Sequence, residues 1–133
     1  MIAADTSSLS NFLKKAGTAD AELVKKALIN ENLVLSPVVV AELFSSSKMN
    51  DEIIAAIEDI PVLELKPGFW KRAGENRAKL NVLGKKARLA DSLIATCCLD
   101  HRIALIANDN DYRHFAEYFG LVIKPVLPGF RFS

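Results

Sequence analysis

The sequence carries no excess of charge of either sign. Its 17 lysines and arginines face 16 aspartates and glutamates, so a polyanionic or membrane partner cannot be inferred from the overall balance and must be sought in local clusters. Cysteines able to staple a fold are also lacking. The two present, Cys97 and Cys98, are adjacent, whereas a disulfide framework needs separated thiols that close useful loops. They read as buried, reduced thiols of a cytoplasmic protein. Long hydrophobic runs are missing too: the longest, Leu33 to Phe44, is broken by Ser36, Pro37 and Glu42 and cannot span lipid as a helix. At the amino end Asp5 follows only Ile2, Ala3 and Ala4, which is neither the basic start nor the apolar core of a secretory leader. There is no internal repeat and no low-complexity segment. With 133 residues, 50% of them hydrophobic, the chain fills one core but not two. The expectation is one soluble domain over residues 1–133, with no membrane partner.

Local periodicity outlines strands alternating with helices. Met1 to Ala4 is a short apolar run closed by Asp5-Thr6-Ser7-Ser8, residues that cap helices, and Leu9, Phe12 and Leu13 follow at helical spacing. Gly17 and Thr18 end that helix and begin another, which carries apolar positions from Ala21 to Ile29. Leu33 to Leu35 predicts a second strand. Ser36-Pro37 predicts a helix start, with serine as cap and proline at the first helical position. Asn50 is placed to cap a helix bearing Ile53, Ile54 and Ile57, and Pro61 to Leu65 is a third strand candidate. Pro67 is expected to open a longer helix that Gly84 ends. Ala90 to Leu99 predicts an apolar helix, Ile103 to Ile106 a fourth strand, Tyr112 to Tyr118 a short helix and Leu121 to Ile123 a last strand, with an irregular surface tail from Lys124. Parallel neighbours need long crossovers, which intervening helices supply. The fold class expected is α/β, with three α/β/α layers around a central, mostly parallel sheet.

In open sheets of this kind, sites form beyond the carboxyl ends of the strands. Asp5 ends the first strand, Glu42 lies in the helix after the second, Asp91 opens the helix before the fourth, and Asp109 follows the fourth with Asp111 two residues on. Carboxylates gathered at one spot repel and are costly without a cation, and an oxygen-only donor set suits magnesium or manganese. Each acid also has a plainer role open to it. Asp5 and Asp91 could cap helices; Asp109 and Asp111 belong to an Asn-Asp-Asn-Asp turn sequence; Glu42 could face solvent despite its apolar neighbours. It is the agreement of four placements that points to a metal.

These segments resemble the PIN-domain family, and within it the VapC toxins, along nearly the whole chain. Asp5-Thr6-Ser7-Ser8-Leu9 resembles the family's Asp-Thr-Ser/Asn-x-Leu opening, and Val39-Val40-Ala41-Glu42-Leu43 its second motif. Ala90-Asp91-Ser92-Leu93-Ile94-Ala95 is close to the third, and Asn108-Asp109-Asn110-Asp111-Tyr112 with Phe115 resembles the fourth. The resemblance implies a metal-dependent endoribonuclease, the toxin of a type II toxin–antitoxin pair. Asp5, Glu42, Asp91 and Asp109 would be its catalytic acids, holding one or two magnesium or manganese ions with Asp111 as an accessory ligand, and water activated by the metal would attack a phosphodiester. Thr6, Ser7 and Asn108 would orient these ligands, although capping the first helix is an equal role for Thr6 and Ser7. An RNA substrate, a cognate antitoxin and a homodimer are implied as well. Two departures stand out: Ala107 replaces the usual threonine or serine, and Ala3 and Ala4 are smaller than the usual first-strand residues. No histidine base is needed, which leaves His101 and His114 as surface or turn residues.

Basic residues concentrate in one stretch. From Lys71 to Arg88, Lys71, Arg72, Arg77, Lys79, Lys85, Lys86 and Arg88 stand against Glu75 alone. Lys85, Lys86 and Arg88 precede Asp91 closely and could hold an RNA backbone beside the metal; a solvated helix face is the other reading. Two rival functions remain. A catalytically weak or inactive PIN scaffold that binds RNA or protein is left open by Ala107. A phospho-receiver domain would share the sheet and the Lys124-Pro125 pair, but it needs two acids after the first strand and an aspartate after the third. This chain has Ala4-Asp5 and Lys66-Pro67 there.

Overall fold

The computed structural model describes residues 1–108 and 110–125. Asp109, and all of the expected tail beyond Pro125, lie outside the described residues. Four strands form the sheet: β1 (Ile2–Ala4), β2 (Leu33–Val34), β3 (Ala104–Ile106) and β4 (Ile123–Lys124). They lie in the order β2-β1-β3-β4, every pair parallel, with Ile2 opposite Leu33 and Ala104, Ala4 opposite Ile106, and Leu105 opposite Ile123. The helices are α1 (Thr6–Leu13), α2 (Ala19–Ile29), α3 (Pro37–Phe44), α4 (Asp51–Glu58), α5 (Phe69–Val82), α6 (Leu89–His101) and α7 (Arg113–Phe119), with a 3-10 turn over Asn110–Tyr112. Successive strand residues face opposite sides of a sheet. Ala3 with Ala4, Leu33 with Val34, and Leu105 with Ile106 are all buried, so both faces are covered, as three layers require. None of the helices among the described residues is long and apolar enough to cross a membrane.

Capping chemistry sets several helix starts where the sequence predicts them. Ser36 Oγ accepts from the Val38 amide at 3.2 Å with Pro37 as the first helical residue, and Asn50 Oδ1 accepts from the Ile53 amide at 2.9 Å. Four expectations need correction. Pro61 to Leu65 makes one parallel bridge, Leu35 with Val62, instead of a strand. Its partner runs out, because Ser36 turns the chain into α3 immediately after Leu35. Pro67 does not open α5; it lies in a turn with Gly68, whose φ of 80° is open to glycine at little cost, and the helix begins at Phe69. Leu121 belongs to the end of α7 and not to β4. Gly120, at φ 77°, closes that helix, and the Leu121 amide donates back to the Phe115 carbonyl. Lys124, expected to begin the tail, is instead a β4 residue.

Candidate active site

β1 connects toward β2 on one side, whereas β3 connects toward β4 on the other, so the sheet reverses its winding between β1 and β3. Crevices in α/β sheets open at that point, beyond the carboxyl ends. Asp5 follows β1 there, and its amide donates to the Ile106 carbonyl at 3.0 Å, tying it to the end of β3. Its side chain is almost wholly buried and caps α1, Oδ1 accepting from the Ser8 amide at 2.8 Å. The capping role expected of Asp5 is therefore real, and it fixes the carboxylate at the strand end. Thr6, the first residue of α1, donates from Oγ1 to Glu42 Oε1 at 2.6 Å. Glu42 is exposed on α3, its apolar neighbours notwithstanding.

Asp91 occupies the first turn of α6 but does not cap it; the N-cap residue is Arg88, which makes no side-chain cap bond. The Arg88 guanidinium instead spans two acids, with Nε 3.0 Å from Asp91 Oδ2 and one terminal nitrogen 2.6 Å from Asp111 Oδ2. Burial pushes the Asp91 carboxyl above the ordinary carboxylate range and repulsion from Asp111 adds to the rise, while Arg88 and the Tyr112 hydroxyl draw it back. Tyr112 is itself buried in the turn after β3.

Beyond the carboxyl ends of the strands, Arg88 thus bridges Asp91 and Asp111, and Glu42 is held by Thr6, the residue after Asp5. Among the described residues, no three histidines, cysteines or acids gather closely enough to hold an ion. Asp109, expected as the fourth acid, lies outside the described residues. The donor chemistry suits a hard divalent cation, being oxygen only, and buried Asp91 beside Asp111 is where added positive charge relieves most repulsion. Ser7 and Asn108 are exposed near these acids in sequence, and Ala107 buries its methyl group fully.

The basic stretch is less uniform than its sequence suggests. Arg72 forms a two-pronged pair with Asp100 at 2.6 and 3.0 Å, and Arg77 donates to the Ala87 carbonyl at 2.9 Å, holding the approach to α6. Lys86 is exposed and Lys85 partly so. His101 Nε2 lies 2.6 Å from the Glu64 carbonyl, and His114 Nδ1 is 3.9 Å from Glu117 Oε2. Cys97 and Cys98 are buried and unbonded to one another, and the Cys98 thiol lies close enough to Asp5 to feel its charge.

Sequence reasoning missed Tyr112 as a partner of Asp91, and it read Arg88 as an RNA contact or part of a solvated face, not as a partner of Asp91, although the two stand three apart, the spacing at which helical side chains meet. It also passed over Asp20 at the start of α2, which is fully buried and takes the Asn11 amide on Oδ2 at 3.0 Å. A groove of about 660 Å³ between α1, α2 and α4, lined in part by Phe12, Leu13, Ala21 and Ile53, holds none of the site acids.

The family model of the PIN domain matches residues 2–118. No curated protein matches the chain by sequence. Among solved structures, a chain of VapBC2 from Rickettsia felis bound to a promoter DNA fragment is similar with a TM-score of 0.72 at 19% identity, covering 93% of this chain and 98% of that one. A toxin–antitoxin complex from Klebsiella pneumoniae gives 0.68 at 20% identity, with 92% and 96% covered. FitAcB from Neisseria gonorrhoeae gives 0.66 at 20% identity, again with 92% and 96% covered. At these identities the likeness is one of fold.

Proposed function

The chain belongs to the PIN-domain family, and on that premise we propose that residues 1–133 act as one metal-dependent endoribonuclease domain, the toxin of a toxin–antitoxin pair, in the cytoplasm. The observation that supports this reading is the acid pair Asp91 and Asp111 bridged by Arg88, with Thr6, next to Asp5, bonded to Glu42, at the end of the sheet where its winding reverses. Asp5, Glu42, Asp91 and Asp109 would hold one or two magnesium or manganese ions, with Asp111 assisting. Such an ion supplies activation of water and neutralises charge on the scissile phosphoryl group.

The remaining roles fall to the chain itself. The Ser8 amide fixes Asp5, Thr6 orients Glu42, and the Tyr112 hydroxyl bears on Asp91. Ser7 and Asn108 are available at the rim to orient ligands or water. Lys85, Lys86 and Arg88 draw RNA phosphates to the mouth of α6. The toxin–antitoxin complex from Klebsiella pneumoniae, similar in fold, supports a cognate antitoxin as partner, and a homodimer is part of the same proposal.

A second reading, a catalytically weak scaffold that binds RNA or protein, is favoured by the fully buried methyl group of Ala107, where the resemblance would put a hydroxyl. One experiment separates the two: single-stranded RNA incubated with the purified chain and manganese, with chelator, and with Asp5→Asn. The nuclease reading expects cleavage that needs manganese and falls by about 100-fold or more in the variant. RNA bound but left intact by the wild-type chain at saturating manganese would leave the scaffold.

A further inference from the structure

We infer that Arg88 is a built-in counter-ion that competes with the divalent cation for Asp91 and Asp111, so that the metal enters by displacing the guanidinium. This rests on the metal-binding reading above and deepens it. Arg88 stands at the mouth of α6, its carbonyl accepting from the Ser92 amide at 3.0 Å and the Ser92 hydroxyl at 2.9 Å. Those bonds fix its backbone and leave its side chain to swing. The side chain is 73% exposed, whereas that of Asp91 is 10% exposed. The guanidinium therefore covers, from the solvent side, a carboxylate that is otherwise enclosed, and it ties that carboxylate to Asp111 on the turn after β3. An ion approaching this pair meets positive charge already in place.

The arrangement suits displacement, because ion pairs with so exposed a partner are weak and a long arginine arm finds other positions readily. Once moved aside, Arg88 remains beside Lys85 and Lys86, where its fork can take a backbone phosphate in two-pronged fashion. Metal loading and phosphate binding would then draw on one side chain. Each must favour the other, since coupling between two binding events is reciprocal.

Calorimetric manganese titrations of the wild-type chain, Arg88→Gln, Arg88→Lys and Asp91→Asn test this without reference to activity. Arg88→Gln removes only an exposed side chain and keeps the backbone bonds of the cap, and a thermal melt checks that it is folded. It should bind manganese about 2- to 5-fold more tightly than wild type, with Arg88→Lys between them because charge is kept and the fork lost. Equal or weaker binding by Arg88→Gln, in a protein whose binding Asp91→Asn abolishes, overturns the competition and leaves the metal site standing. Wild-type binding that survives Asp91→Asn removes Asp91 from the site and overturns both. Binding seen only in Arg88→Gln supports the inference, and binding in none of the proteins defeats both.

Discussion

Replacing Asp91 by asparagine separates the cost of an enclosed charge from its use. In the metal-free chain burial raises the Asp91 carboxyl above its ordinary range, with Asp111 contributing, against the pull of Arg88 and Tyr112. A carboxyl raised on folding lends stability that is complete below its unfolded pKa and is lost as pH climbs through the folded one, because the native state binds more protons in that window. At neutral pH the charge on Asp91 is thus a net cost to the fold. Asparagine removes that cost, which is already net of the Arg88 pair, itself worth at most about 0.5 kcal/mol with a guanidinium 73% exposed. Metal-free Asp91→Asn should therefore match wild type or exceed it by up to about 1 kcal/mol at pH 7, a Tm rise of no more than about 4 °C. The gap should close toward acid pH, where the wild-type carboxyl is protonated in both states. Manganese reverses the order: at roughly 100 times its Kd, a ligand of the folded state adds about 2.7 kcal/mol, which the variant should largely forgo. Thermal melts of both proteins from pH 4 to 8, across a manganese titration, measure all of this. A metal-free variant more than about 1 kcal/mol less stable than wild type, or equal manganese responses, would refute the reasoning.

Charge reversal at Lys85 and Lys86 together should weaken RNA binding and lower the slope of log affinity against log salt by about 0.7 for each phosphate the protein no longer neutralises, with manganese affinity little changed; filter binding at several salt concentrations reads this directly. Expression of the chain alone should arrest bacterial growth and Glu42→Gln should relieve it, since glutamine keeps the shape and loses the charge. Arrest by a folded Glu42→Gln protein, judged by growth curves alongside its soluble yield, would detach the harm from the acids.

The elements with strong local signals were legible. Ser36-Pro37 and Asn50 are caps whose side-chain chemistry acts within three residues, so no tertiary knowledge was needed to place α3 and α4. Pro61 to Leu65 failed because a strand requires a partner of matching length, and the length of β2 is fixed by the turn at Ser36, not by the candidate's own composition. Leu121 failed similarly: its amide is taken by the end of α7. At the site, the alternation of strands and helices was read as placing Asp5, Glu42, Asp91 and Asp109, with Asp111 beside it, at one end; Asp109 lies outside the described residues. Which side chains then pair is a matter of reach across elements. Thr6 with Glu42 spans 36 residues and Arg88 with Asp111 spans 23, separations at which periodicity is silent. Only the Arg88–Asp91 pair, three apart on one helix, was within the power of sequence to suggest.

The adjacent cysteines of α6 give the protein a clock. Burial pushes both thiols up, and the charges of Cys97 and Asp5 hold Cys98 furthest from ionising, so neither is a nucleophile while the fold is closed. Once α6 comes away from the sheet, both become ordinary reactive thiols. The rate at which an alkylating reagent consumes them therefore counts openings of the helix that carries Asp91, about two turns upstream of Cys98. A ligand that bridges α6 to the strand ends would slow that clock, whatever its chemistry, and would announce itself in labelling kinetics before any substrate had been identified.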